Sequence, residues 1–220
     1  MDINMSGTPP RYIAVEGVIG AGKTTLANLL AQRHGSRLVC EEFDDNPFLP
    51  KFYSNPKRYA FQTQLAFLAS RFKQQQALSH HDLFHETVIS DYLFEKDRIF
   101  ARLNLNEDEL QLYDSIYQIM TGIAVKPDLT IYLQCSVDRL TENIKNRGRE
   151  YEKQISEGYL SELSEAYNHF FYHYNRSPLI IVNVSETDLE SRPDHLEYIE
   201  KQIFQTPIHQ QTHIHLIPDT

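Results

Sequence analysis

The stretch YIAVEGVIGAGKTTLANLL, residues 12–30, opens with an apolar run ending at Glu16. Glycines follow at 17, 20 and 22, and Lys23, Thr24 and Thr25 then head a segment of helical periodicity. Strand, glycine loop and helix follow one another, and Gly17 to Thr24 fits the spacing G-x-x-x-x-G-K-[ST]. Along Gly17, Val18, Ile19, Gly20, Ala21 and Gly22 the backbone can turn successive N–H groups toward an anion. The following helix, with Thr25 in its first turn, adds its dipole. Lys23 can reach the outer phosphates, and the Thr24 hydroxyl can ligate Mg²⁺. A chance glycine turn would not need all four fixed positions in this context, so the stretch points to ATP or GTP with Mg²⁺. It does not name what receives the phosphate.

The rest of the composition narrows the partner. With 220 residues, 41% hydrophobic and 23% charged, the chain can bury the core of one domain. A net charge of −9 argues against extended binding to a nucleic-acid polymer, which needs clustered positive charge, and favours a small nucleotide. Cys40 and Cys135 end apolar strand-like runs, which reads as two buried reduced thiols and a cytoplasmic setting. No apolar run approaches a membrane span, and MDINMSGTPPR lacks the regions of a secretory signal. The groups His80, His81, His85 and His209, His213, His215 lack zinc-ligand spacing backed by cysteines, so no transition metal is assigned.

Strand-like segments fall at 11–16, 37–41, 86–91, 128–134 and 178–184. Helical ones fall at 23–34, 45–55, 57–79, 106–125, 137–147, 155–175 and 192–204. Short buried strands separated by helices predict an α/β fold with a central parallel five-stranded sheet covered on both faces, a three-layer sandwich of the phosphate-loop NTPase kind. Residues 1–10 read as a flexible N-terminus, 11–205 as the domain and 206–220 as a polar tail. Ligands in such sheets bind beyond the carboxyl ends of the strands. After the second strand comes CEEFDDNP, after the third SDYLFEKDR, and after the helix that follows the fourth, NRGREYEK.

Taken in order, EGVIGAGKTTL, the pair Glu41–Glu42, FYSNPKRYAFQTQLAFLASRFKQ, SDYLFEKDRIFA and RGREYE resemble the deoxynucleoside kinase family, in particular its bacterial deoxyadenosine and deoxyguanosine kinases. The resemblance runs from about residue 11 to 200. It implies ATP-dependent phosphorylation of the 5′-hydroxyl of a 2′-deoxynucleoside, a purine by preference, with Mg²⁺. It also implies a homodimer or a dimer with a related subunit.

Phosphoryl transfer to an alcohol needs an in-line hydroxyl, a proton acceptor beside it and positive charge around the moving group. Glu41 matches the family's general base, with Glu42 as its local rival. Gln64 and Arg71, seven residues apart, return to one helix face, where an amide and a guanidinium can read a base edge. The resemblance makes Asp97 a second base-reading carboxylate that orients Arg71, and places Asp91 near Mg²⁺ and the reacting hydroxyl. Arg147 and Arg149 would form an arginine-bearing lid at about 146–154 that clamps phosphate oxygens. Glu152, with Tyr53, would hold the sugar 3′-hydroxyl. Two positions depart from the pattern: Tyr92 stands where an Arg commonly follows the acid, and Asn143 where relatives often have an Arg against adenine. A thymidylate-type nucleotide kinase shares the loop and the lid but needs a further basic group near the third strand. A non-catalytic partner subunit is the other alternative, supported by Tyr92.

Overall fold

A computed structural model describes residues 9–78, 87–204 and 211–215, the last segment without the side chains of Gln211 and His215. The expected flexible N-terminus lies almost wholly outside the described residues, as do His80, His81, His85 and His209.

Among the described residues six parallel strands form one sheet: β1 (Tyr12–Gly17), β2 (Arg37–Val39), β3 (Val88–Ser90), β4 (Leu129–Gln134), β5 (Leu179–Asn183) and β6 (Gln211–His215). Their spatial order is β2-β3-β1-β4-β5-β6, which places β1 and the glycine loop that follows it near the middle. Every residue of β1 is buried, as are Leu129 to Leu133 and Leu179 to Val182. These strands read as continuous apolar runs because a parallel sheet is covered on both faces. Ile13 pairs with Ile89 on one side and Leu129 on the other, so the three central strands share one register.

The helices are α1 (Lys23–His34), α2 (Leu49–Ser54), α3 (Pro56–Leu78), α4 (Lys96–Asn104), α5 (Glu107–Thr121), α6 (Val137–Arg147), α7 (Glu157–Tyr172) and α8 (Pro193–Phe204), with a 3₁₀ turn at Glu150–Gln154. Helix α1 buries Leu26, Ala27, Leu30 and Ala31 on one side and ends at Gly35, whose φ of 59° is left-handed. Helix α5 starts with a capping box between Asn106 and Glu109. A second apolar cluster, Leu68, Phe94, Ala101, Tyr113 and Tyr117, joins α3, α4 and α5.

The α/β class and the parallel sheet agree with the sequence reading, but the sheet has six strands among the described residues rather than five. The extra strand, QTHIH, lies in the segment read as a polar tail. It is an edge strand in which Ile214 is buried and His213 exposed, so it lacks the unbroken apolar run that betrays a central parallel strand. Helix α4 also went unpredicted, because its nine residues are too few for helical periodicity to stand out.

Candidate active site

The loop after β1 has the shape the glycine spacing demands. Gly20 and Gly22 have φ of 87° and 88°, open only to glycine at little cost. A Cβ at Gly17 would lie 2.7 Å from the Leu133 carbonyl oxygen of β4. The Ala21 N–H closes the turn on the Val18 carbonyl at 3.0 Å. Lys23 folds back over the loop, its Nζ donating to the carbonyls of Gly17 (2.8 Å) and Val18 (3.1 Å). Burial, reinforced by the nearby Lys96 ammonium, pushes the Lys23 pKa down to about 8.

Parallel pairing of β2 with β3, in which Val39 faces Ser90, brings the two acidic strand ends together. The Asp91 carboxylate accepts from the Glu41 N–H at 2.7 Å and from the Thr24 hydroxyl at 2.5 Å, linking the chain just past β2 and β3 to the first turn of α1. Glu41 is in turn held by Arg71 and by Lys96, whose Nζ lies 2.6 Å from its Oε2. Burial raises the Glu41 pKa, but the charges of Arg71 and Lys96 outweigh it and hold the carboxyl well below the usual carboxylate range. Glu42 is exposed and accepts from Ser70.

On α3, Gln64 and Arg71 are both buried and face the same pocket as Glu41. Arg71 bridges Glu41 and Asp97. Asp97, fully buried on α4, sits behind Arg71 rather than on the pocket wall. The Gln64 Oε1 atom is buried and has no hydrogen-bond partner among the described groups, so an amide acceptor is left for something else to satisfy.

Past the C-terminus of α6, where Gly148 takes a left-handed φ of 71°, the chain turns into the 3₁₀ segment Glu150–Gln154, which carries Glu152. Arg147 grips Glu152 through Nε (3.0 Å) and Nη2 (2.8 Å), Arg149 reaches the same carboxylate at 3.3 Å, and the Arg149 guanidinium lies 3.8 Å over the Phe43 ring. Tyr53 lines the pocket beside Glu152 and stacks on Tyr151, ring centroids 6.1 Å apart.

Two concavities therefore meet at the loop. One is lined by Glu41, Tyr53, Gln64, Arg71, Lys96 and Glu152; the other runs along Gly20 to Thr25, α6 and residues 187–190. Gly20, Lys23, Thr24 and Arg147 border both. On the second wall Asn143 donates to the Gly20 carbonyl at 2.8 Å, tying α6 to the loop.

The deoxynucleoside kinase family model matches residues 13–209. The chain belongs to this family. Deoxyguanosine kinase of Bacillus subtilis (strain 168) is 43% identical over 157 residues, 71% of this chain and 76% of that one. Deoxyadenosine/deoxycytidine kinase of the same organism is 32% identical over 87% of this chain and 90% of its own length. Among solved structures, deoxyadenosine kinase from M. mycoides with bound dATP superposes with a TM-score of 0.75 at 27% identity, covering 87% of this chain and 98% of that one. In this deoxynucleoside kinase Glu41, Tyr53, Gln64, Arg71, Asp91, Arg147, Arg149 and Glu152 line one pocket, with Asp97 behind it, and Gly20 to Thr25 line the second concavity, while Gly17 and Val18 line neither.

Sequence reasoning passed over Lys96 and Phe43. A lysine is ordinarily solvated, and nothing local to FEKDR announces a partner at the end of the neighbouring strand β2.

Proposed function

We propose that this kinase transfers the terminal phosphoryl group of ATP to the 5′-hydroxyl of a purine 2′-deoxynucleoside. The observation that carries the reading is the meeting of an acid-and-amide pocket with a second concavity across the phosphate loop, Gly20, Lys23, Thr24 and Arg147 bordering both. A donor triphosphate lies along the loop and α6, and the nucleoside enters the other side. Glu41, ionised at neutral pH by its two cationic partners, accepts the 5′-hydroxyl proton. Gln64 and Arg71 read the base edge, the guanidinium aimed by Asp97. Tyr53 and Glu152 hold the 3′-hydroxyl, and its arrival competes with Arg147 and Arg149 for the same carboxylate, freeing the arginines for phosphate.

The Thr24 hydroxyl and the Asp91 carboxylate are adjoining hard oxygen donors, a set that suits Mg²⁺ shared with phosphate oxygens. When bound there, the ion supplies charge neutralisation along the triphosphate.

The names of the relatives, deoxyguanosine kinase and deoxyadenosine/deoxycytidine kinase, support a purine first and deoxycytidine as its main competitor. A dimer is part of the reading: Leu112, Ile116, Ile119 and Ile123 recur at helical spacing along α5 and just beyond it, and Ile119 is 78% exposed. Free Cys40 and Cys135, half-buried rather than buried as the sequence reading had them and with thiols that burial pushes up to about 11, fit a reducing compartment, and we place the enzyme in the cytoplasm.

The test is kcat/KM with ATP–Mg²⁺ for the four deoxynucleosides, adenosine, dAMP and dTMP. Deoxyadenosine or deoxyguanosine should lead. Preference for thymidine, the ribonucleoside or a monophosphate overturns the reading, and no ATP turnover with any of them favours the non-catalytic partner.

A further inference from the structure

Lys96 is 3% exposed and is the first residue of α4. Both facts run against local physics: a buried ammonium is costly, and the positive end of a helix dipole disfavours a cation. Its partner is the Glu41 carboxylate, 2.6 Å away, and Glu41 already has a buried guanidinium, Arg71, on its other oxygen. Two cations on one carboxylate is more than pairing needs. Meanwhile the position after Asp91 is Tyr92, fully buried and not on the pocket wall. Among the described residues Lys96 and Lys23 are the two ammonium groups that line the acceptor pocket.

We propose that Lys96 is a catalytic cation of this kinase, holding Glu41 before transfer and neutralising the phosphoryl group as it crosses from donor to acceptor. The inference rests on the transfer reading above and adds a reacting group to it. In the step, a lone pair of the 5′-oxygen forms the new bond to the terminal phosphorus. The bond from that phosphorus to the bridging oxygen breaks, its electron pair staying with the departing nucleoside diphosphate, and the hydroxyl proton passes to Glu41. Lys96 keeps its protons throughout. Its contribution is charge placed where negative charge moves, on a helix end anchored by the neighbouring Asp97–Arg71 pair, so that little reorganisation is needed.

The experiment compares Lys96→Met and Lys96→Arg with the wild-type enzyme under steady-state conditions, using ATP–Mg²⁺ and the best deoxynucleoside. Lys96→Met should lower kcat on the order of 10²–10³-fold, the range for removing one group that stabilises transition-state charge, with the nucleoside KM changed by less than about three-fold. Lys96→Arg, still cationic, should recover at least about ten-fold of that loss. Lys96→Gln serves as the neutral variant if the Met protein is poorly folded, with ATP-induced thermal stabilisation as the check on the site.

A second comparison separates action on phosphate from action through Glu41. In the Glu41→Gln background, Lys96→Met should still cut the residual rate by about ten-fold or more, because the moving charge is still there. If it costs nothing further in that background, Lys96 only positions Glu41 and the proposal is overturned. It is equally overturned if Lys96→Met keeps kcat and raises KM alone. A wild-type protein that transfers no phosphate brings down the transfer reading together with this one, whereas an active wild type with a fully active Lys96→Met removes this one alone.

Discussion

Replacing Arg71 by Met should cost stability well beyond one lost contact. Arg71 is buried on α3 and bridges Glu41 and Asp97. Without it Glu41 keeps Lys96, but Asp97, fully buried on α4, loses the guanidinium that compensates it. Removing one partner of a buried pair costs about 3–5 kcal/mol, since the other charge is left in low dielectric. For a chain of this length each kcal/mol shifts the melting temperature by about 2–4 °C, so the loss should be about 6–20 °C. The companion variant, Arg71→Met with Asp97→Leu, removes both charges and should return to within about 2 kcal/mol of the parent. Thermal and urea unfolding of the parent, both single variants and the double give the cycle. An Arg71→Met protein melting within about 2 °C of the parent, or a double variant worse than the single by the full Asp97→Leu cost, would refute the argument that Asp97 exists to aim Arg71.

Glu41→Gln should lower kcat by about 10²–10⁴-fold while Glu42→Gln, on an exposed side chain, changes it by less than about two-fold; the reverse order in steady-state assays moves the base to Glu42. Lys23 sits near a pKa of 8, below its ordinary value, so above pH 8 it tends to lose its proton, and a bound triphosphate restores it. Calorimetry in buffers of different ionisation enthalpy should therefore find uptake approaching one proton per ATP at about pH 9 and little at pH 6.5, with the difference gone in Lys23→Ala; buffer-independent heats at pH 9 count against it. Ile119→Asp should shift the protein from dimer to monomer by light scattering at micromolar concentration, and an unchanged mass rules out the α5 stripe as the interface.

Much of the site was legible because its chemistry is carried by local patterns. The loop is set by glycine spacing, and Gln64 and Arg71 by a helix repeat that survives any tertiary detail. Glu41 and Asp91 were readable as residues at strand ends, a place that parallel-sheet topology reserves for ligands. Lys96 was not, because its significance lies in a partner 55 residues away across the sheet, and sequence carries no record of that pairing. For Asp97 the resemblance implied its partner, Arg71, but not that it stands behind Arg71 and off the pocket wall. Strand β6 escaped because an edge strand needs one buried face only, and five residues with a single buried isoleucine leave too little pattern to see.

That edge strand bears on how the protein should be handled. β5 reads LIIVN, four buried aliphatic residues in a row, and it pairs with β4 on one side and β6 on the other. Trimming the histidine-bearing terminus at residue 205, a natural choice for someone preparing crystals, would strip β6 and leave the N–H and C=O groups of β5 facing water along a sticky aliphatic ribbon. Such a product would retain every residue of both pockets and yet be prone to sheet-to-sheet precipitation. Affinity tags and shortened versions are therefore better placed ahead of Arg11, with His215 kept.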